Sequence, residues 1–200
     1  VLTMPEQIEP YEPDQIHFTT EGGGTAIVWA RFDERDSGST LHVAEIQSKR
    51  HQDGRGRGYR NKDETDAPLS ADVPYAPYKN SNAWSMLMFK RILRYAVENS
   101  YERITWDTGE TQAERYGLDE AGRRGMKAFY DEQLVNSVNK LVRRWDSQVV
   151  KANSLNGWTI DAGIKGQIPV HSVSITNEMR GIVMDEGISL FSVLSLDERI

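Results

Sequence analysis

The chain has 200 residues, of which 38% are hydrophobic, and it carries a formal net charge of −6. This content is enough for one hydrophobic core, and no stretch approaches the roughly 18 apolar residues of a membrane-spanning helix. The lack of cysteine excludes disulfides and thiolate chemistry. The acidic balance argues against a protein that coats nucleic acid over its whole surface. A soluble globular domain is expected, with no membrane partner.

The first 24 residues are predicted to form an extended N-terminal arm. Pro5, Pro10 and Pro13 oppose a regular helix there, and residues 22–24 are a run of three glycines that marks a break. The arm lacks a signal peptide and begins without methionine, which indicates a piece cut from a longer protein. Residues 25–200 are predicted to form a single α/β domain.

Two neighbouring antiparallel strands are predicted at 25–32 and 41–47, joined by a turn. Because side chains alternate along a strand, Glu45 and Gln47 fall on the face that apolar residues occupy earlier in the second strand. A carboxylate at the end of a buried strand is costly unless it is paired, and such positions are often clefts. The sequence therefore predicts a functional site at Glu45 and Gln47.

Residues 48–81 show almost no apolar periodicity and are predicted to form a loop. Its first half combines cations with glycines: Lys49, Arg50, Arg55, Arg57, Arg60 and Lys62 with Gly54, Gly56 and Gly58. Long loops inside compact domains are usually functional or disordered. Two interpretations stay open, a mobile solvated insertion or a phosphate-binding segment or lid. Residues 49–62 are the predicted contact for a host protein or nucleic acid.

The rest of the chain alternates helices and strands. Helices are predicted at 82–99, 111–116 and about 125–145, strands at 101–107, 147–152 and 169–175, and a last helix after Thr176 or Asn177. This order predicts an α/β or α+β fold with a mixed central sheet flanked by helices. Ligands bind beyond strand ends in such folds. The residues that follow the strand at 101–107 are therefore candidates for binding a cofactor: Thr108, Gly109, Gln112, Arg115 and Tyr116. Lys79 and Lys90 are candidates for an anionic cofactor, with plain surface solvation as the alternative.

Several segments together resemble a domain of the polyvalent proteins of bacteriophages and conjugative elements. They are "VLTMP", "WARFDER", "HVAEIQSKRHQDGRGRGY", "VPYAPYKNSNAW", "FKRILRYAVENSYERITWDTGETQAERY", "GMKAFYD", "VHSVSIT" and "ISLF". The resemblance covers nearly the whole chain in order. It implies a phage-encoded protein that acts in the host cytoplasm. Delivery together with the phage DNA would bring it there. It implies no particular reaction.

The order of elements from the strand of Glu45 onward also resembles the GNAT acyltransferases. That resemblance implies acetyl-coenzyme A as cofactor, Glu45 as the base that deprotonates an amine directly or through water, and Tyr130 of "FYD" as the acid. Gln47, on the same face as Glu45, is a further catalytic candidate. It further implies a phosphate loop in "QDGRGRG", with Arg55, Gly56 and Gly58. The glycine segment lies far before the helix that it should open, and a core position for Tyr130 competes with the catalytic role.

Two other classes of function remain open. Glu45 and Gln47 fit the Glu-x-Gln variant of PD-(D/E)xK nucleases, in which Asp33 or Glu34 would be the second metal ligand. A non-catalytic counter-defence or interaction module is the other alternative. In that case Glu45, Gln47 and residues 112–116 would form a rigid hydrogen-bonded network.

Overall fold

The fold is known from a computed structural model that describes residues 1–4, 11, 25–60, 73–154 and 168–188. Most of the predicted N-terminal arm, the acidic end of the predicted loop including Lys62, and the segment between the last two predicted strands lie outside the described residues.

Six strands form one mixed sheet, which confirms the predicted fold class. The strands are β1 (Leu2–Met4), β2 (Thr25–Arg35), β3 (Thr40–Gln47), β4 (Arg103–Asp107), β5 (Val149–Ser154) and β6 (Ile168–Ser174). Their order in the sheet is β1-β2-β3-β4-β6-β5. Strands β3 and β4 are parallel, whereas β6 runs antiparallel to both β4 and β5.

Helices lie between β3 and β4, between β4 and β5, and after β6. They are α1 (Lys49–Arg57), α2 (Ser81–Glu98), α3 (Gly109–Arg115), α4 (Glu120–Lys127), α5 (Leu134–Val142) and α6 (Asn177–Asp185). A π-helical segment, Ala128–Gln133, joins α4 to α5. None of the described helices combines the length and the apolar character that a bilayer crossing demands.

Helix α1 corrects the prediction that residues 48–81 form a loop throughout. The hydroxyl of Ser48 accepts a hydrogen bond from the His51 amide and so caps the first turn. Gly54 allows the ring of Tyr59 to approach, because a Cβ at this position would lie 2.2 Å from that ring. Gly58 then ends the helix with a φ of +85°, a conformation that favours glycine. Structural requirements thus explain why glycine occupies positions 54 and 58.

The long helix predicted at about 125–145 also differs from the structure. The helical run begins earlier, after Asp119, whose side chain accepts from the Gly122 amide. It then widens to π geometry over Ala128–Gln133 before it returns to α geometry. A pattern of apolar residues cannot show such a change, because one extra residue in a turn leaves most of the spacing helical.

The chain groups into two compact units, one of residues 1–30 with 46–88 and one of 31–45 with 89–200. The first has a core that includes Ile27, Val28, Val73, Ala76 and Trp84. The second has a core that includes Leu41, Val43, Leu93, Ile104, Trp106, Leu134, Val138 and Val142. In the second unit, Arg180 of α6 donates to the carbonyls of Val97 and Tyr101 and so satisfies the end of α2. A single domain over 25–200 stays a prediction.

Candidate functional site

The ladder between β3 and β4 ends before β3 does, next to the position of Glu45. The pairs run from Thr40 with Arg103 to Val43 with Trp106. The next carbonyl of β3, that of Ala44, accepts hydrogen bonds from two side chains of α3 instead. Gln112 Nε2 lies 2.5 Å from it and Arg115 Nη1 lies 2.8 Å from it. These two candidate residues therefore fill the place of a strand partner.

Arg115 also neutralises a buried carboxylate at the end of β4. Its Nη2 lies 2.5 Å from Asp107 Oδ2, and the Asp107 side chain is only 2% exposed. On the other side, His42 Nε2 lies 3.3 Å from Asp107 Oδ1, and His42 Nδ1 lies 2.9 Å from Thr105 Oγ1. Burial alone would raise the pKa of Asp107, but His42 and Arg115 outweigh it and hold the pKa below its usual value.

Glu45 itself is paired with two side chains. Tyr116 donates to its Oε1 at 2.5 Å, and Arg31 Nη2 lies 3.3 Å from its Oε2. Glu45 is 7% exposed, whereas Tyr116 is 45% exposed. Burial, and then the hydrogen bond and charge of Glu45, raise the pKa of Tyr116 to about 12. The hydroxyl thus stays protonated at neutral pH, on a residue that is nearly half exposed.

The structure does not bring Tyr130 to solvent. Its residue is 4% exposed and its ring packs edge-on against Phe129, with ring centroids 4.9 Å apart. Its backbone carbonyl accepts from Trp106 Nε1 at 3.3 Å. This is a core position, as the competing interpretation of the sequence held. Gln47 belongs to the other compact unit, where its Nε2 donates to Gln52 Oε1 at 3.3 Å.

Thr108 and Gly109 connect β4 to α3, and their contacts are structural. The Thr108 hydroxyl caps α3 by accepting from the Thr111 amide. The Gly109 amide donates to Asp131 Oδ1 at 2.8 Å, and the same oxygen lies 2.8 Å from His171 Nε2. The "FYD" segment contains Asp131, but the sequence does not indicate its role, because its partners Gly109 and His171 are distant in the chain.

The glycine segment does not form the open phosphate loop that the GNAT resemblance implies. Arg55 and Gly56 lie in α1, and Gly58 is its C-cap. Lys79, in the same unit, has its ammonium 4.7 Å from the centre of the Tyr59 ring and 4.4 Å from that of Tyr75. This cation is held between two aromatic rings, a stabilising contact in its own right. Cofactor binding by these residues stays a prediction.

His51 lies buried beneath this cluster. Its Nδ1 is 2.9 Å from the Tyr59 hydroxyl, and its residue is fully buried. Burial, helped by the positive charges of Arg50, Arg55 and Lys79, lowers the pKa of His51 from 6.5 to about 4. The imidazole is therefore neutral in the folded protein across the pH range in which a free histidine becomes charged.

The shift of His51 predicts an acid-sensitive fold. Between pH 6.5 and 4 the unfolded chain binds a proton at His51 and the folded chain does not. The contribution of His51 to the free energy of unfolding is therefore fully present above pH 6.5 and is lost as the pH falls. The expected loss is about 3 kcal/mol in urea unfolding at pH 4 relative to pH 7. His51→Gln should flatten this dependence, and an equally steep fall in the variant would contradict the assignment.

The candidate ligands of the alternative metal site, Asp33 and Glu34, pair with other side chains. Asp33 Oδ2 pairs with Arg35 Nε at 3.1 Å, and Glu34 accepts from the Tyr101 hydroxyl at 2.5 Å. Within residues 1–4, 11, 25–60, 73–154 and 168–188, no group of three or more histidine or acidic side chains could hold a metal ion.

Comparison of the chain with protein-family models, with curated proteins and with solved structures gives no match in any of the three. The resemblances to polyvalent proteins and to GNAT acyltransferases therefore stay predictions.

Proposed function

We propose that the chain is an acyltransferase-like domain of a phage or mobile-element protein, in which Glu45 and Tyr116 move the protons of the reaction. The observation that carries this proposal is the 2.5 Å hydrogen bond from the Tyr116 hydroxyl to Glu45. Glu45 is the base predicted from the sequence. Tyr116 takes the place of Tyr130 as the acid, because Tyr116 contacts Glu45 and is 45% exposed as a residue, whereas Tyr130 is buried.

The arrangement of elements supports the same proposal. Strands β3 and β4 are parallel neighbours with α1 and α2 between them in sequence, and β5 and β6 follow after α3, α4 and α5. Apart from α1, this is the order on which the resemblance to GNAT acyltransferases depends. Ligands in such folds bind beyond the C-terminal ends of the parallel strands, and Glu45 and Asp107 lie at these ends.

The glycine segment does not support coenzyme A as the acyl carrier. The helical conformation of α1 leaves no open glycine loop for its pyrophosphate. An acyl carrier would therefore need phosphate contacts that differ from those implied by the resemblance, and Arg55, Gly56 and Gly58 take no part in the proposed reaction.

Transfer of an acyl group from a thioester to an amine forms a C–N bond and breaks a C–S bond. The amine nitrogen must lose a proton and the leaving sulfur must gain one. Glu45 accepts the first proton, and the Tyr116 hydroxyl donates the second. Once Glu45 is protonated, its negative charge no longer raises the pKa of Tyr116, so the tyrosine becomes a stronger acid when it is needed. The proton on Glu45 then returns to Tyr116 through their hydrogen bond.

Movement of Arg31 would let the amine substrate reach Glu45 Oε2. Its side chain is 59% exposed and pairs with Glu45 Oε2 from the solvent side. The guanidinium can leave this oxygen without leaving the carboxylate unpaired, because Glu45 keeps the hydrogen bond from Tyr116. The Tyr116 bond to the other oxygen would stay in place.

The proposal predicts acyl-transfer activity that depends on both residues. Acetyl-coenzyme A with lysine peptides or polyamines should release free thiol, and Glu45→Gln or Tyr116→Phe should each lower the rate by about 10²–10⁴-fold. Tyr75→Phe is the matched control, since this exposed tyrosine lies in the other compact unit. No thiol release above hydrolysis, or rates in both variants equal to that of the original chain, would contradict acyl transfer.

A non-catalytic interaction module is the second candidate, and one observation favours it. Both Glu45 oxygens have partners, and the Ala44 carbonyl already accepts from Gln112 and Arg115. A network satisfied in this way can serve rigidity alone. In that case Glu45→Gln and Tyr116→Phe would lower the melting temperature, and neither the original chain nor the variants would transfer an acyl group.

A further inference from the structure

A groove of about 280 Å³ lies along the second half of α2, away from the Glu45 and Tyr116 pair. Its lining comprises Lys90, Arg91, Arg94 and Glu98 of α2 with Ile188 beyond α6. All five residues belong to the same compact unit. Three of the four charged lining residues are cations, in a chain whose net charge is −6. We propose that this groove binds a small ligand through a phosphate or pyrophosphate group.

The single carboxylate of the groove does not neutralise it. Glu98 Oε1 lies 2.7 Å from Arg94 Nε, and Glu98 Oε2 lies 3.7 Å from Arg91 Nη1. One negative charge is thus shared by two guanidinium groups. The hydrogen bond from Arg94 is the main reason that the pKa of Glu98 is lowered. The carboxylate therefore stays charged and aligns both arginines, while the groove keeps an excess of positive charge.

Lys90 adds a largely buried cation to the lining. Its residue is 4% exposed. Burial, and the charge of Arg144 nearby, lower the pKa of the Lys90 ammonium. An anion in the groove would oppose the repulsion between these cations.

The residue types indicate the chemistry of the ligand. Guanidinium groups present paired N–H donors that match the oxygens of phosphate, and an ammonium adds a compact point charge. The volume lies near the lower end of the roughly 300–1,000 Å³ of small-molecule pockets. A polynucleotide instead needs many phosphate contacts along an extended basic surface, which the negative net charge of the chain opposes. The groove thus fits a small phosphorylated ligand. The inference goes beyond the proposed acyl transfer and does not depend on it.

The test is binding of inorganic pyrophosphate to the full chain. Pyrophosphate should raise the melting temperature above that in sodium chloride of equal ionic strength, because a ligand of the folded state stabilises it. Arg91→Gln/Arg94→Gln should weaken binding by roughly tenfold or more in calorimetry, since two charge-assisted contacts are lost. Lys140→Gln/Lys151→Gln removes the same charge from exposed positions outside the groove and should leave binding unchanged.

Three results would overturn the proposal. The first is no thermal shift beyond that of sodium chloride. The second is equal pyrophosphate affinity in the arginine variant and in the original chain, or equal weakening in the two double variants. The third is tighter binding of a short single-stranded oligonucleotide than of pyrophosphate, which would indicate a polymer site. The substituted arginines are partly exposed, so both variants should fold.

Discussion

Arg115→Met is expected to destabilise the protein by about 3–5 kcal/mol. The guanidinium is the close partner of Asp107, whose side chain is 2% exposed, and its removal leaves a buried carboxylate without that compensation. It also removes one of the two donors on the Ala44 carbonyl. Urea unfolding at pH 7 measures the loss.

Two further variants make this prediction specific. Arg124→Met breaks a pair with Glu120 in which both side chains are more than two-thirds exposed, and it should cost less than about 1 kcal/mol. Asp107→Asn/Arg115→Met should lose less than the sum of the two single changes, because the buried charge has gone. A loss near 1 kcal/mol for Arg115→Met, or full additivity, would show that the pair is not the support that its geometry indicates.

Gly109→Ala is expected to destabilise by about 3 kcal/mol. A Cβ at Gly109 would lie 2.4–2.6 Å from backbone atoms of Lys127 and Met126, so α3 and α4 would have to separate. Such a shift would also pull the Gly109 amide away from Asp131. A lower urea midpoint, with an altered near-ultraviolet spectrum, would report the displacement.

The matched controls are two glycines in open space. A Cβ on Gly125 of α4 or Gly181 of α6 would meet nothing within 4 Å. Alanine at either position should stabilise the protein by about 0.5–1 kcal/mol, because glycine carries an entropic cost within a helix. If Gly109→Ala behaved like these two, the close contact with α4 would be contradicted.

The parts of the fold that were predictable have strong local patterns. Helix α2 has apolar residues at helical spacing over five turns, and its predicted bounds are within one residue of Ser81–Glu98. Thr176 was one of two residues proposed to cap α6, and its hydroxyl does accept from the Met179 amide. In these segments local propensity and tertiary packing agree.

Helix α1 was missed because its sequence lacks that pattern. Lys49–Arg57 contains two glycines and five positively charged or histidine side chains, so no apolar stripe marks a face. Arg50 and His51 are nevertheless buried, since tertiary contacts satisfy them. Arg50 donates to the Pro74 carbonyl at 3.2 Å, and His51 meets Tyr59. Polar residues that are buried by distant partners leave no periodic signal.

The positions of the candidate side chains at the strand ends were predictable, but their pairing was not. Alternation along β3 placed Glu45 at the strand end, and the position after β4 made Tyr116 and Arg115 candidates. Which of the tyrosines meets Glu45 depends on how α3 turns away from β4. That turn is set by the Thr108 cap and by the close packing at Gly109, which are tertiary features.

The π-helical segment Ala128–Gln133 has a consequence for tolerance to deletion. A wide turn is an α-helix that has accepted one more residue, and in an α-helix one residue corresponds to a rotation of about 100°. Because the wide turn takes up its extra residue locally, removing one residue of the segment would restore regular winding and leave Leu134 and Val138 on the buried side of α5. A deletion here should therefore be tolerated if Asp131 keeps its contact with His171, whereas a deletion within α4 or α5 would rotate the rest of the helix by about 100°.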